Sequence, residues 1–267
     1  MLKEEKRFVE IDSKYVPRVK VKDRVWKIDA EGMYYKDLNS LLRDMCNKGA
    51  EKILIRNVCG QRYIGTDLNA EVEIDIHGTP GNDMGAFMSG PLITVHGNAQ
   101  DGCGNTMNDG KIVVHGQAGD LTGHSMRGGQ IFVRDDVGYR VGIHMKEYKR
   151  KIPDIVIGGA AGDFLAEYMA GGVVVVLGLT LGECERCKAR FVGTGMHGGV
   201  IYERGDILEV GKGTKLMKVG KRDMQVIERL VKEYCERFSA DYEIIMNAKF
   251  HKIVPVSKRP YSKLYSN

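Results

Sequence analysis

The sequence predicts an all-β chain that folds as a parallel β-helix of about seven coils of ~19 residues, with a short helical cap at each end. Three observations predict this fold. Motifs recur every 19 residues, strand-like segments occupy the same place in each repeat, and glycine stands at fixed positions. The 267 residues include 34 glycines but only six prolines, which indicates many tight turns at regular places.

The 19-residue repeat is visible in three His-Gly pairs, which begin at His77, His96 and His115. The strand before each pair places Ile or Val at two alternate positions, and this period of two is typical of β-strands. Between these two apolar columns runs a mixed column that we expect to face outward: Asp75, Thr94, Val113, Phe132 and Val156.

Methionine and glycine each form a column with the same spacing. The methionines are expected to stack inside the solenoid in vertical register, because strands of neighbouring coils lie ~4.8 Å apart. Glycine is required wherever a coil corner needs a positive φ. The two columns are Met88, Met107, Met126 and Met145, and Gly85, Gly104, Gly123 and Gly142.

Two insertions interrupt the repeat. The first adds five residues within the basic loop Lys146–Lys151, and the second adds eight around Gly182–Arg190. The second contains the pair Cys184 and Cys187, which could form half of a zinc site. No second cysteine pair is near in sequence, so two incidental reduced thiols are the preferred interpretation.

The first and last residues of the repeat divide the chain into three segments. Residues 1–61 form an N-terminal cap with a helix at about 37–48 and a strand at about 52–58. Residues 62–210 form the β-helix, and residues 211–267 form a C-terminal helix and an extended tail. Covers are expected because a solenoid otherwise exposes a sheet edge at each end. Asp37 and Asp223 are candidate helix N-caps, and Gly49 is a candidate stop.

Composition excludes several classes of protein. The net charge of +5 lacks the basic stripe with interleaved aromatics that nucleic-acid binders show. No apolar run reaches the ~18 residues that span a bilayer, and no apolar stretch follows the charged N-terminus. We therefore expect a cytoplasmic protein whose six cysteines are reduced.

Five motifs resemble the carboxy-terminal glycine-repeat (GXGXG) domain of the glutamate synthase large subunit, here as a separate chain. They occur in the same order at 97–110, 126–129, 138–145, 167–172 and 193–199. The resemblance implies a right-handed β-helix that supplies no catalytic group and packs against flavin-binding and amidotransferase partners. The chain is also similar to the small β-helix subunit of formylmethanofuran dehydrogenase, which has the same scaffold role.

The sequence lacks the parts of the parent reaction. Leu2 follows Met1, where the glutaminase would need a cysteine nucleophile, and no cysteine spacing fits an iron–sulfur cluster. We therefore predict no catalytic or cofactor-binding residue in this chain. FMN and an iron–sulfur cluster are expected on the partner subunits, a glutamine amidotransferase and an FMN-binding glutamate synthase subunit that together make glutamate for nitrogen assimilation.

The rival hypothesis is an independent β-helix enzyme that acts on polysaccharide. It would need acidic residues along one outward face, but the outward column becomes apolar toward Phe132 and Val156.

Apolar side chains at these outward positions require a cover, so we predict that Val113, Phe132 and Val156 are buried by a terminal helix or by a second polypeptide. Lys149 and Arg150 of the basic loop are further interface candidates, since loops on a rigid scaffold often carry recognition. A homo-oligomer is left open. The histidine column is expected to be a ladder of neutral rings packed under a flank; two stacked imidazoles could bind a metal, but no third ligand shares their column.

Overall fold

The computed structural model describes residues 19–22, 24–182, 189–207 and 209–257. These ranges hold three helices, α1 (Tyr35–Asn47), α2 (Lys221–Phe238) and α3 (Tyr242–Met246). They also hold twelve strands: β1 (Val19–Lys22), β2 (Val25–Asp29), β3 (Lys52–Cys59), β4 (Glu73–Thr79), β5 (Leu92–His96), β6 (Lys111–Val114), β7 (Gln130–Val133), β8 (Asp154–Ile157), β9 (Ala170–Val176), β10 (Gly198–Arg204), β11 (Thr214–Met217) and β12 (Phe250–Pro255).

The strands confirm a parallel β-helix. Each strand from β2 to β10 pairs in parallel with the next one along the chain, and all belong to one continuous sheet. Within the predicted span, β4 to β10 enclose about six complete turns, slightly fewer than the seven coils predicted. At the ends, β1 pairs antiparallel with β2, and β12 pairs antiparallel with both β10 and β11.

The strand register is the one that the repeat predicts. Thr94 lies opposite Asp75 in the preceding coil, Val113 opposite Thr94, Phe132 opposite Val113, and Val156 opposite Phe132. The neighbouring inward column is fully buried and forms the centre of the core: Ile74, Ile93, Ile112, Ile131 and Ile155.

The methionine column runs through the core with one member in each coil. The backbone N–H of Asn108 donates to Met88 O at 2.9 Å, and the equivalent bonds from Arg127 and Lys146 end on Met107 O and Met126 O. The four predicted methionines are fully buried: Met88, Met107, Met126 and Met145. The four predicted glycines have φ of +68° to +70°: Gly85, Gly104, Gly123 and Gly142.

Helix α1 covers the N-terminal end of the core with one apolar face, formed by Leu38, Leu41, Leu42 and Met45. Its N-cap is Tyr34, which makes no side-chain capping bond; Asp37 lies in the first turn instead of capping it. A carboxylate there still stabilises the positive end of the helix dipole. Gly49 follows the helix with φ +78°, as its proposed stop position requires.

The C-terminal segment closes the opposite end and one side. Asp223 is the third residue of α2, and its carboxylate accepts a hydrogen bond from the backbone N–H of the N-cap Gly220. The segment expected to lie as an extended tail becomes strand β12, which hydrogen-bonds to the edge of β10. In the parts of the chain that the structure describes, no helix is long and apolar enough to cross a membrane.

Candidate interaction surfaces

The outward apolar stripe of the strands is not open to a partner. Val113, Phe132 and Val156 are fully buried. Phe132 and Val156 belong to a second apolar cluster with the inner face of α2, where Tyr234 also donates a hydrogen bond from its hydroxyl to Arg134 O at 2.8 Å. Of the two covers that the sequence allowed, the terminal helix is the one present over Phe132 and Val156. Val113 is equally buried, so these three residues are corrected from interface candidates to core residues.

The histidine column stacks as expected. The ring centroids of His77 and His96 are 4.4 Å apart, those of His96 and His115 are 5.4 Å apart, and the edge of Phe238 in α2 contacts His115. Burial, followed by the neighbouring charge of His96, lowers the pKa of both His77 and His115. His77 and His115 are therefore uncharged at neutral pH, as a packed ladder requires.

Within the residues that the structure describes, no group of three or more histidine, cysteine or acidic side chains is arranged so that it could hold a metal ion. Asp75 lies 3.6 Å from His96 but is held at 2.7 Å by Lys52. Cys184 and Cys187 lie outside the described residues.

The basic loop has a defined shape. Tyr148 and Lys151 exchange backbone hydrogen bonds of 3.1 and 3.0 Å, and Lys149 between them has φ +58°. The Lys151 ammonium reaches back to Asp109 at 2.6 Å and thereby fixes the loop to a coil two turns earlier in the strand order. Burial raises the pKa of Asp109, but Lys151 and the Gly110 N–H lower it by more, so this carboxyl group is ionised at neutral pH.

This loop and α2 enclose a cleft of about 650 Å³. Its floor is formed by coil corners at Gly90, Gly110 and Gly129, and its walls by the loop residues 150–152 and by Val226 and Arg229 of α2. We call this the corner cleft. Arg150, which the sequence predicted as an interface residue, lines this open concave surface.

A second open surface is the side of each coil on which every other residue has positive φ. In one coil these residues are Leu121 (+59°), Gly123 (+70°) and Ser125 (+53°). The Leu121 N–H donates to Tyr139 O in the following coil, whereas the Gly123 N–H donates to Cys103 O in the preceding one. Alternate N–H groups thus point up and down the solenoid, and this hydrogen-bonding scheme requires the left-handed backbone.

The same pattern recurs at seven successive levels of the solenoid and forms three columns, which we call the left-handed face. The middle column points inward and is glycine in all coils but one: Gly65, Gly85, Gly104, Gly123, Gly142, Ala166 and Gly193. The outer columns carry varied side chains: Tyr63, Asp83, Gly102, Leu121, Arg140, Phe164 and Phe191 in the first, and Asp67, Phe87, Thr106, Ser125, His144, Tyr168 and Gly195 in the third.

Large side chains on this face are exposed and strained at once. Phe87 is 50% exposed, Tyr168 46% and Phe191 45%, with φ between +53° and +62°. The left-handed conformation costs a non-glycine residue about 1–2 kcal/mol. Glycine would remove that cost, so the chain keeps these side chains at an expense in stability.

Polar groups on the left-handed face are ordered by a chain of hydrogen bonds. Asn105 donates from Nδ2 to Asp83 at 2.9 Å, so its Oδ1 accepts from Nδ1 of His124 at 3.1 Å. This assignment leaves Nε2 of His124 as an acceptor. Burial and then the nearby His144 lower the pKa of His124, which is therefore a neutral ring at pH 7. His144 in turn stacks on Tyr168 with centroids 5.5 Å apart.

Arginines lie over aromatic rings at the C-terminal end of the same face. Arg140 lies 5.1 Å from the centroid of Phe164, whose ring stacks on Phe191 at 4.9 Å, and Arg190 lies 6.0 Å from Phe191. Sequence reasoning missed these residues because members of one column differ in chemistry. The signal was present, since Leu121 and Arg140 are 19 residues apart and Phe164 and Phe191 follow at the two insertions.

Comparison with known proteins gives two matches. A family model described as the GXGXG motif matches residues 47–256, which include the whole left-handed face. An uncharacterized protein of Methanocaldococcus jannaschii is 47% identical over 249 residues, which cover 90% of this chain and 95% of that relative.

Proposed function

The chain belongs to the GXGXG motif family, and we propose that it serves as a non-catalytic scaffold subunit of a glutamate synthase-type enzyme. In this role it holds a glutamine amidotransferase chain and an FMN-binding chain in register while ammonia passes between them. The flavin and an iron–sulfur cluster belong to those partners. This chain contributes rigid surfaces to the assembly, and its coils keep the distance between the surfaces constant.

The observation that carries the proposal is the left-handed face. Each large apolar side chain left in water forgoes about 1.5–3 kcal/mol of burial, and each one here adds the cost of its left-handed backbone. Exposed apolar patches of this kind mark protein contact sites. Burial against a partner would recover the lost burial energy, and it would explain why the strained backbone carries large side chains. A catalytic role draws no comparable support from the described residues, where the His124 ring is hydrogen-bonded to the Asn105 amide and no group that could hold a metal ion is found.

The direct test is isolation of the native assembly. A tagged chain expressed in its own cells is purified gently, partner chains are identified by mass spectrometry, and flavin is measured by its absorbance. We expect an amidotransferase chain and an FMN-binding chain in fixed ratio, together with glutamine-dependent glutamate formation. Recovery with formylmethanofuran dehydrogenase chains would replace the glutamate synthase assignment, and a chain that elutes alone would refute the scaffold role.

Glycine substitutions separate contact from folding. Phe87→Gly and Leu121→Gly remove an exposed side chain and relieve its backbone, so we expect the free energy of unfolding to change by less than about 1 kcal/mol. Assembly should nevertheless weaken by about tenfold or more if these side chains anchor a partner. Val21→Gly removes an exposed apolar side chain in β1, away from the face, and is the matched control. Equal assembly of all three variants would exclude the left-handed face as the contact.

A further inference from the structure

We propose that the corner cleft binds an acidic segment of a partner polypeptide, with one apolar side chain of that segment seated between the loop and α2. This inference rests on the proposed scaffold function and assigns one surface to one kind of partner. It concerns a different side of the coil from the left-handed face, so the two surfaces can be tested separately.

The positive charge of the cleft exceeds what its own carboxylates neutralise. Lys151 is paired with Asp109 at 2.6 Å, and Arg229 is paired with Asp154 at 3.0 Å. Arg150 lines the cleft and forms no ion pair within the described part of the chain. The same holds for Lys146 on the exposed loop. An acidic ligand therefore meets one unpaired cation, Arg150, in the lining of the cleft, with Lys146 nearby on the same loop.

Lys149 adds to this charge. Its ammonium lies 5.3 Å from the ring centroid of Tyr148 and has no carboxylate partner among the described residues. Two backbone hydrogen bonds and the Lys151 ion pair fix the turn, so the backbone that carries these cations has one defined conformation. Preorganised charge favours association because less conformational freedom is lost on binding.

The apolar part of the site lies beside the charges. Ile152 is 54% exposed where the loop meets the cleft, and Leu92 and Val226 line its interior. The floor consists of glycine corners at which an added Cβ would meet backbone; at Gly129, for example, it would lie 2.6 Å from Gly110 O. An extended peptide can approach such a floor closely. Charge and shape together fit a short acidic segment with one apolar residue.

The test uses a fluorescein-labelled peptide of about six residues, all glutamate except one central leucine, and measures binding to the full chain by fluorescence anisotropy. We expect Arg150→Glu to weaken binding by about 5- to 10-fold at 0.01 M salt, and the effect to shrink at about 0.15 M as the Debye length falls from about 30 Å to 8 Å. Lys27→Glu makes the same charge change on the exposed side of β2, near the N-terminal end of the sheet and three strands from the first strand that lines the cleft, and is the matched control.

A second variant tests the cleft apart from its charge. Val226→Trp fills the space between α2 and the loop without changing net charge, and it should weaken peptide binding while the thermal transition stays close to that of the wild type. Weakening by Lys27→Glu as strong as by Arg150→Glu would reduce the interaction to net charge and overturn the proposal. Two further results would overturn it. One is that the peptide binds Val226→Trp as strongly as the wild type. The other is that a labelled oligonucleotide binds the wild type as strongly as the peptide does, with no loss in Val226→Trp. If the native assembly forms but the peptide ignores the cleft, this inference fails while the scaffold function stands.

Discussion

Two glycines in the same column of the left-handed face should differ sharply in their tolerance of alanine. Gly123 and Gly142 have almost identical backbones, with φ +70° and +68°. A Cβ added at Gly123 would lie 2.3 Å from Cδ1 of Ile155, whereas at Gly142 the nearest atom is Cγ2 of Val174 at 3.5 Å. Ala166 already occupies this column with φ +55°, so the backbone accepts alanine where there is room.

The expected costs follow from these distances. Gly142→Ala should lower the free energy of unfolding by about 1 kcal/mol, the difference between left-handed strain and the smaller entropy of the unfolded chain. Gly123→Ala should add about 1–3 kcal/mol of overpacking, because Ile155 is fully buried and cannot move aside freely. Its total of about 2–4 kcal/mol corresponds to a Tm lower by roughly 4–16 °C in a chain of this size.

Urea unfolding followed by circular dichroism measures both variants under identical conditions. Equal losses would mean that the distance to the facing isoleucine does not set the cost, and the account of why this column is glycine would be wrong. A loss at Gly142 larger than at Gly123 would contradict the described packing directly.

Two further predictions concern the covered side of the coils and its histidines. Phe132→Ala should cost about 3–5 kcal/mol in urea unfolding, whereas Phe87→Ala on the open face should cost less than about 1 kcal/mol; similar values would mean that α2 does not pack on the stripe. Since burial lowers the folded-state pKa of His77 and His115, their stabilisation is complete above the unfolded pKa of ~6.5 and declines as pH falls below it. A Tm scan from about pH 8 to 5 should show that decline, and His115→Gln should reduce its slope; an unchanged slope would remove His115 as a source.

The strand face of the coil could be predicted from sequence because its chemistry repeats. Isoleucine or valine recurs at the inward positions every 19 residues, so strand register followed from spacing alone. The stacking of His77, His96 and His115 followed from the same register. The sequence required that Phe132 be buried. It left two possible covers, a terminal helix of this chain or a second polypeptide, and did not decide between them.

The left-handed face could not be predicted in the same way. The spacing of apolar residues in a sequence indicates which side chains face a core. The alternation of positive φ is a backbone property, and in the sequence only glycine indicates it. Where Leu121, Arg140 and Phe164 replace glycine, the column loses its signature although the backbone is unchanged. Asp37 and Asp223 were both misassigned as N-caps, because a carboxylate within the first turn and one at the cap give the same local composition.

The arrangement of the coil limits where partners can dock. Helix α2 covers the strand face from Phe132 onward, α1 covers the first coils, and β12 pairs with the last strand of the parallel ladder. The left-handed face and the corner cleft are two surfaces that these elements leave open. They are neighbours along each coil, since Ser125 ends one and Gly129 begins the other, with the buried Met126 between them. If the proposed partners occupy these two surfaces, they therefore lie side by side on the coil, on either side of the corner at Met126.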